Sequence, residues 1–223
     1  MCSSDLERFF KTTKERQGLQ NQVDHRRNVI ARDFERVCAV LAELHYIEGE
    51  TADIVVTTQG QMLKSIHSES ELLISEGIRR HIFEGLGASE LAAVLSALVY
   101  ESRRDDQSDG ARLPHGPTEQ AIRALFTLWA EIQSVEAKHK LSTVRKPDAG
   151  FAWCIYRWAN GGRLSGVLHD TDLSAGDFVR TTRRLIDVLE QLAAVSDVGL
   201  RETAFEAIDL VRRGIVSAAE LED

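Results

Sequence analysis

Residues 174–195 read SAGDFVRTTRRLIDVLEQLAAV, and the spacing inside that stretch sets the reading of the whole chain. At 100° per residue, Phe178, Leu185, Leu189 and Leu192 fall on one side of a helix. Arg180, Arg184, Asp187 and Gln191 fall within roughly 60° of one another on the opposite side. Ser174 with Asp177 three residues on supplies a capping-box-like start. Such a helix has to bury its leucines against other elements, which predicts a bundle. It then presents an arginine row one turn apart, with an amide beyond. Guanidinium planes at that spacing can stack on bases or pair with the phosphates of a single strand. They can equally form ion pairs with Asp177, Asp187 or a neighbouring helix on a wet surface, and the pattern alone permits either.

Outward from this helix nearly everything after Ser68 has helical periodicity. Ile74, Ile78 and Ile82 line a helix predicted to stop near Gly85, and Leu91, Val94, Leu95 and Leu98 line the next. Residues Arg103 to Gly116, rich in Asp, Gly, Ser and Pro, read as an exposed loop. Gly116-Pro117 offers a cap and a first-turn proline for a helix carrying Ile122, Leu125, Phe126, Trp129 and Ile132. After the basic loop Arg145-Lys146-Pro147, a short aromatic helix places Phe151, Ile155 and Trp158 on one face, with Trp153 and Tyr156 beside it, and ends at Gly161-Gly162. A last helix aligns Ala204, Ile208, Val211 and Ile215.

The first third is different. Residues 1–27 are densely charged with sparse apolar positions, the pattern of a solvated helical arm with the look of a cut end. Phe34, Val37, Cys38 and Leu41 then predict a buried stripe running to Leu44. A short β-branched run, Ile54-Val55-Val56-Thr57, and a turn at Thr58-Gln59-Gly60 follow. A helix, a short strand and a threonine–glycine turn give residues 28–66 the pattern of a partial winged helix. The expected fold is therefore mainly α: a charged arm (1–27), a partial winged helix (28–66) and a helical bundle (67–223).

Composition narrows the function classes. With 43% hydrophobic and 28% charged residues the 223-residue chain is an ordinary globular protein. No apolar run approaches a membrane span, and the start of the chain has no signal-peptide pattern. Cys2, Cys38 and Cys154 are too scattered for a disulfide framework or a metal site, which suits a reducing cytoplasm. A net charge of −8 weighs against gripping nucleic acid by bulk electrostatics, so any such contact must be local. No phosphate-cradling glycine loop with its lysine and no Asp-Glu-x-His motif is present, and nothing suggests a nucleophile or a histidine metal cluster. The expectation is a chain with no cofactor, metal or catalytic site of its own.

Several segments resemble the DSHCT domain. They are Ser68-Glu69-Ser70-Glu71-Leu72-Leu73-Ile74-Ser75-Glu76, Glu90 through Glu101, Phe151-Ala152-Trp153 with Tyr156-Arg157-Trp158-Ala159, Leu173 through Arg180, and the closing Val211-Arg212-Arg213-Gly214-Ile215-Val216. This is the C-terminal helical module of superfamily 2 DExH helicases of the Ski and Dob type, and the pattern is most like actinobacterial HelY-type proteins. The resemblance covers 67–223 well and 29–66 more loosely. It implies a ring in which two RecA motor domains, a winged helix and this bundle enclose a single strand of RNA or DNA, with residues 174–195 as the ratchet helix. It also implies that Arg184 matches a strand-contacting arginine of the ratchet helix and Glu101 a glutamate near the strand, both counted as nucleic-acid-binding candidates. Arg180, one turn back on the same face, is added from the helical wheel. ATP and magnesium would belong to the RecA domains, in cis or trans, so this chain reads as part of a larger assembly.

Two other classes remain in view. A winged-helix transcription regulator needs a basic recognition helix, yet Arg32, Arg36, Glu35 and Glu43 nearly balance around the Phe34–Leu44 segment. A plain scaffold bundle would bind proteins through exposed apolar surface.

Overall fold

The computed structural model describes residues 3–49, 53–102, 112–169 and 171–219. Helix α1, Ser3–Glu43, has 41 residues and is about 60 Å long at 1.5 Å per residue. It crosses position 28 without a break. Its C-terminal end meets the rest of the chain, where Glu43 pairs with Lys138 and His139. That overturns the expected buried stripe. Phe34 is 60% exposed and Val37 is exposed too, while Cys38 and Leu41 are only partly covered. An apolar stripe is buried only where another element runs alongside, and here that holds for Val40 and, just past the helix, Tyr46.

Strands β1 (Ile47–Glu48) and β2 (Val55–Val56) pair antiparallel, Ile47 opposite Val56 and Glu48 opposite Val55. The chain then enters helix α2, Thr58–Lys64, where the sequence suggested a turn. Thr57 explains the difference: its hydroxyl accepts from the Gly60 amide at 3.1 Å and caps the helix. Gly60 lets α2 press on the chain at Tyr46, since a Cβ there would lie 2.2 Å from the Tyr46 carbonyl oxygen.

Helix α3, Glu71–Arg79, is shorter than its isoleucine spacing suggested. His81 turns the chain at a φ of 58°, and the Ile82 amide closes back on the Gly77 carbonyl at 2.9 Å. Phe83 is thereby folded into the core over Gly77, where any side chain would collide with its ring. Helix α4, Ala88–Val99, is the hub. Leu91 through Val99 are all buried, because α5, α6, α8 and α9 pack around it.

The surrounding helices are α5 (Pro117–Lys138), α6 (Ala152–Ala159) entered through a 3-10 turn at Ala149–Phe151, α7 (Leu164–Leu168), α8 (Ala175–Val195), α9 (Val198–Val211) and α10 (Ile215–Ala219). The expected loop from Arg103 to Gly116 falls largely, through 111, outside the described residues. Gly116 caps α5 with a φ of 85°, and Pro117 occupies its first turn, as the sequence indicated. Tyr100, Phe151, Phe178 and Trp158 form a continuous aromatic row, stacked, tilted and edge-on in turn, with centroid spacings of 5.2–5.5 Å. The row ties the end of α4 to α6 and α8. Trp158 completes it by donating its indole N–H to the Val211 carbonyl at 2.9 Å. The fold is mainly α, a helical bundle. No helix among the described residues is long and apolar enough to cross a membrane.

Candidate nucleic-acid interface

Helix α8 has the two faces its spacing demands. Ser174 caps it, accepting from the Asp177 amide at 3.0 Å. Phe178, Leu185, Leu189 and Leu192 are fully buried against α4 and α9. Arg180 and Arg184 point the other way, with side chains 71% and 47% exposed. Both have carboxylate partners: Arg180 meets Asp177 at 3.2 Å, and Arg184 meets Glu69 at 3.6 Å. The arginines are therefore outward and ion-paired at once. The Arg184–Glu69 pair, exposed on both sides, is worth about 0–1 kcal/mol and exchanges readily; Asp177 is the more covered partner.

Two shallow clefts flank the row. One of about 570 Å³ is lined by Ser68, Glu69, Arg184, Asp187 and Gln191. The other, of about 580 Å³, is lined by Ala175, Val179, Arg180, Arg184 and Ile215. Arg184 belongs to both. Gln191, the amide at the end of the row, has a structural use: its side-chain oxygen accepts the His67 amide at 2.5 Å. That bond fixes α8 to the segment leading into α3 and forms the floor of the first cleft.

Glu101 is brought to the same place, through a residue the sequence reading left unassigned. Arg145 reaches Glu101 at 3.2 Å and Glu69 at 3.5 Å, and Glu69 in turn faces Arg184. Arg184, Glu69, Arg145 and Glu101 thus form one row of alternating charge drawn from four separate segments of the chain. Arg145 lies in the Arg145-Lys146-Pro147 loop, and a basic pair in an acidic chain was the signal that could have pointed to it. Arg180 stands one turn along, in the second cleft.

Other arginines are built into the scaffold. Arg213 stacks on Trp158 with its guanidinium 3.7 Å from the ring centroid and donates to the carbonyls of Trp158 and Gly162. Burial holds its pKa below the ordinary arginine value. Arg201 donates to the Ala193 and Ser196 carbonyls, and Arg157 to that of Gly166. Among the described residues no group of His, Cys, Asp and Glu is placed to hold a metal ion.

Residues 53–219 match the DSHCT (NUC185) domain. The chain belongs to the DSHCT family. It is 40% identical over 222 residues to the probable helicase HelY of Mycobacterium leprae (strain TN), covering 95% of this chain and 24% of that protein. It is 37% identical to the HelY of Mycobacterium tuberculosis (strain ATCC 25618 / H37Rv), with the same coverage. Against the human exosome RNA helicase MTR4 it is 27% identical over 182 residues, 77% of this chain and 17% of that one. The chain spans about a quarter of the length of its HelY relatives. The DSHCT match contains Glu69, Glu101, Arg145, Arg180 and Arg184, whereas α1 lies ahead of it. The DSHCT bundle of this chain is thus a module of a kind found in proteins named as helicases.

Proposed function

We propose that this DSHCT bundle guides a single nucleic-acid strand, RNA or DNA, for an ATP-dependent DExH helicase motor, with α8 as the ratchet helix. The observation that carries the reading is α8 itself: anchored from behind by buried leucines, it turns Arg180 and Arg184 toward two open clefts. A rigid helix can hold bases and phosphates at fixed height while a motor changes shape around it. The strand enters by local pairing with these arginines, against an acidic net charge. ATP and magnesium would be held by RecA domains in cis or trans, and the module would act in the cytoplasm.

Fluorescence anisotropy with labelled single-stranded RNA, single-stranded DNA and duplex DNA tests this. Weak single-strand binding is expected, with affinity falling steeply with salt, by about 0.7 in log–log slope for each phosphate contact. Arg184→Ala and Arg180→Ala should each weaken it severalfold and flatten the slope. Binding indifferent to both substitutions would remove the proposal, and a clear duplex preference would favour a winged-helix regulator.

A further inference from the structure

One oxygen of Glu69 is shared between two arginines from different parts of the chain. Glu69 Oε2 lies 3.5 Å from Arg145 Nη1 and 3.6 Å from Arg184 Nη2. The two cations are held unlike the anion. Arg145 is only 24% exposed, and its Nη2 donates to the carbonyls of Leu98 at 3.1 Å and Tyr100 at 3.4 Å, at the end of α4. Arg184 rides on the anchored helix α8. Glu69, just ahead of α3, is 69% exposed, and both its arginine distances exceed hydrogen-bond length. Two guanidiniums, one fixed by backbone carbonyls and one carried on an anchored helix, therefore face one spot, filled by a loosely held anionic oxygen. A phosphate oxygen meets that spot better, because guanidinium–phosphate pairs gain short, charge-assisted, often bidentate bonds.

We infer that Arg145 and Arg184 form a clamp for one phosphodiester of the bound strand, and that Glu69 occupies the clamp until the phosphate displaces it. The inference rests on the strand-guiding reading and deepens it by adding Arg145 as a binding residue and Glu69 as its built-in competitor. Glu101, 3.2 Å from Arg145 on the other side, keeps that guanidinium oriented when Glu69 swings out to solvent. The row Arg184, Glu69, Arg145 and Glu101 is electrically balanced when empty and loses only weak contacts on loading. That arrangement favours a grip that is made and released repeatedly over a permanent one.

The test is anisotropy of the 223-residue chain with a labelled single-stranded RNA 12-mer across a salt series, using Glu69→Gln. Removing the competitor should tighten binding about fivefold, the scale of two exposed ion pairs, and steepen the salt slope. The gain should vanish in the Arg184→Ala background and with Arg145→Gln, whose folding is checked by thermal melting. Glu202→Gln, the same charge change outside both clefts, should have no effect. Inorganic phosphate at matched ionic strength should leave strand affinity unchanged; strong competition would assign the clamp to free phosphate and overturn its assignment to a strand. If wild-type binding depends on Arg184 but Glu69→Gln gives no gain, or the gain survives Arg184→Ala, the clamp is overturned and strand guiding stands. If neither the wild type nor Glu69→Gln binds a strand at low salt, both fall.

Discussion

Replacing Tyr46 by phenylalanine isolates one of the bonds that fasten α1 and the hairpin to the bundle. Tyr46 is fully buried, and its hydroxyl lies 2.7 Å from a Glu76 carboxylate oxygen and 3.0 Å from the Ser75 hydroxyl. Phenylalanine keeps the ring, so no cavity opens and the Arg79 guanidinium stays 5.2 Å over its face. What is lost is a donor to a buried carboxylate, about 1.5–3 kcal/mol for a hydrogen bond to a charged group. Glu76 keeps Arg79 and Arg80 as partners, which sets the expected loss near about 2 kcal/mol. For a chain of this size that lowers Tm by about 4–8 °C. Burial also pushes the phenol well above its ordinary value of 10. The folded protein keeps a proton that the unfolded chain gives up, so this part of the stability is whole below pH 10 and drains away as pH rises beyond it. Urea denaturation followed by circular dichroism at pH 8 and at steps above pH 10 gives both quantities. Tyr46→Phe should be destabilised at pH 8, and the gap to wild type should narrow as pH climbs. A loss under about 0.5 kcal/mol, or a gap that does not change with pH, would refute this account of the junction.

Three further outcomes are expected. Leu189→Ala, at a fully buried position behind the arginine row, should cost about 2–5 kcal/mol in denaturant unfolding and weaken strand binding without touching a charge. Cys154 is buried and its thiol is pushed up to about 11 by desolvation. Iodoacetamide at pH 8 should therefore spare it in the native protein while labelling half-buried Cys38, with both labelled in urea, as read by peptide mass spectrometry. Glu43 is held below the usual carboxylate range by hydrogen bonds from Lys138 and His139. Its contribution is present above pH 4.5 and lost as pH falls through its folded value, so Glu43→Gln should flatten the acid limb of the stability profile.

The bundle was legible because its helices are amphipathic with long periods and well-marked caps: Ser174, Gly116-Pro117 and Gly161-Gly162 all sit where the helices begin or end. The first third was harder to read for a physical reason. Phe34, Val37 and Leu41 have the spacing of a core stripe, but periodicity says which residues share a face, never whether a partner covers it. Thr58-Gln59-Gly60 looked like a turn because Gly60 is a poor helix former, and the close approach to Tyr46 that requires the glycine is tertiary. At the site, Arg180 and Arg184 could be placed on the exposed face of α8 from spacing alone. Their carboxylate partners could be anticipated only within the helix. Asp177 is three residues from Arg180, whereas Glu69 and Arg145 come from distant elements.

Several arginines of the helical bundle fall into two kinds, and the distinction bears on where an anion can be taken up. Arg213, Arg201 and Arg157 direct their donors at backbone carbonyls. A phosphate cannot take the place of those carbonyls without unpicking helix ends, because each would be left as a desolvated acceptor. Arg184 faces an exposed carboxylate instead, that of Glu69, and one anion can replace another there at little cost, whereas the Asp177 carboxylate beside Arg180 is mostly covered and also accepts from the Ser174 hydroxyl. Net charge therefore says little about this surface. An acidic protein can still take up a polyanion wherever its positive groups are anchored through the scaffold and its negative ones are not. On this bundle that condition points to the face where α8 meets the segment leading into α3.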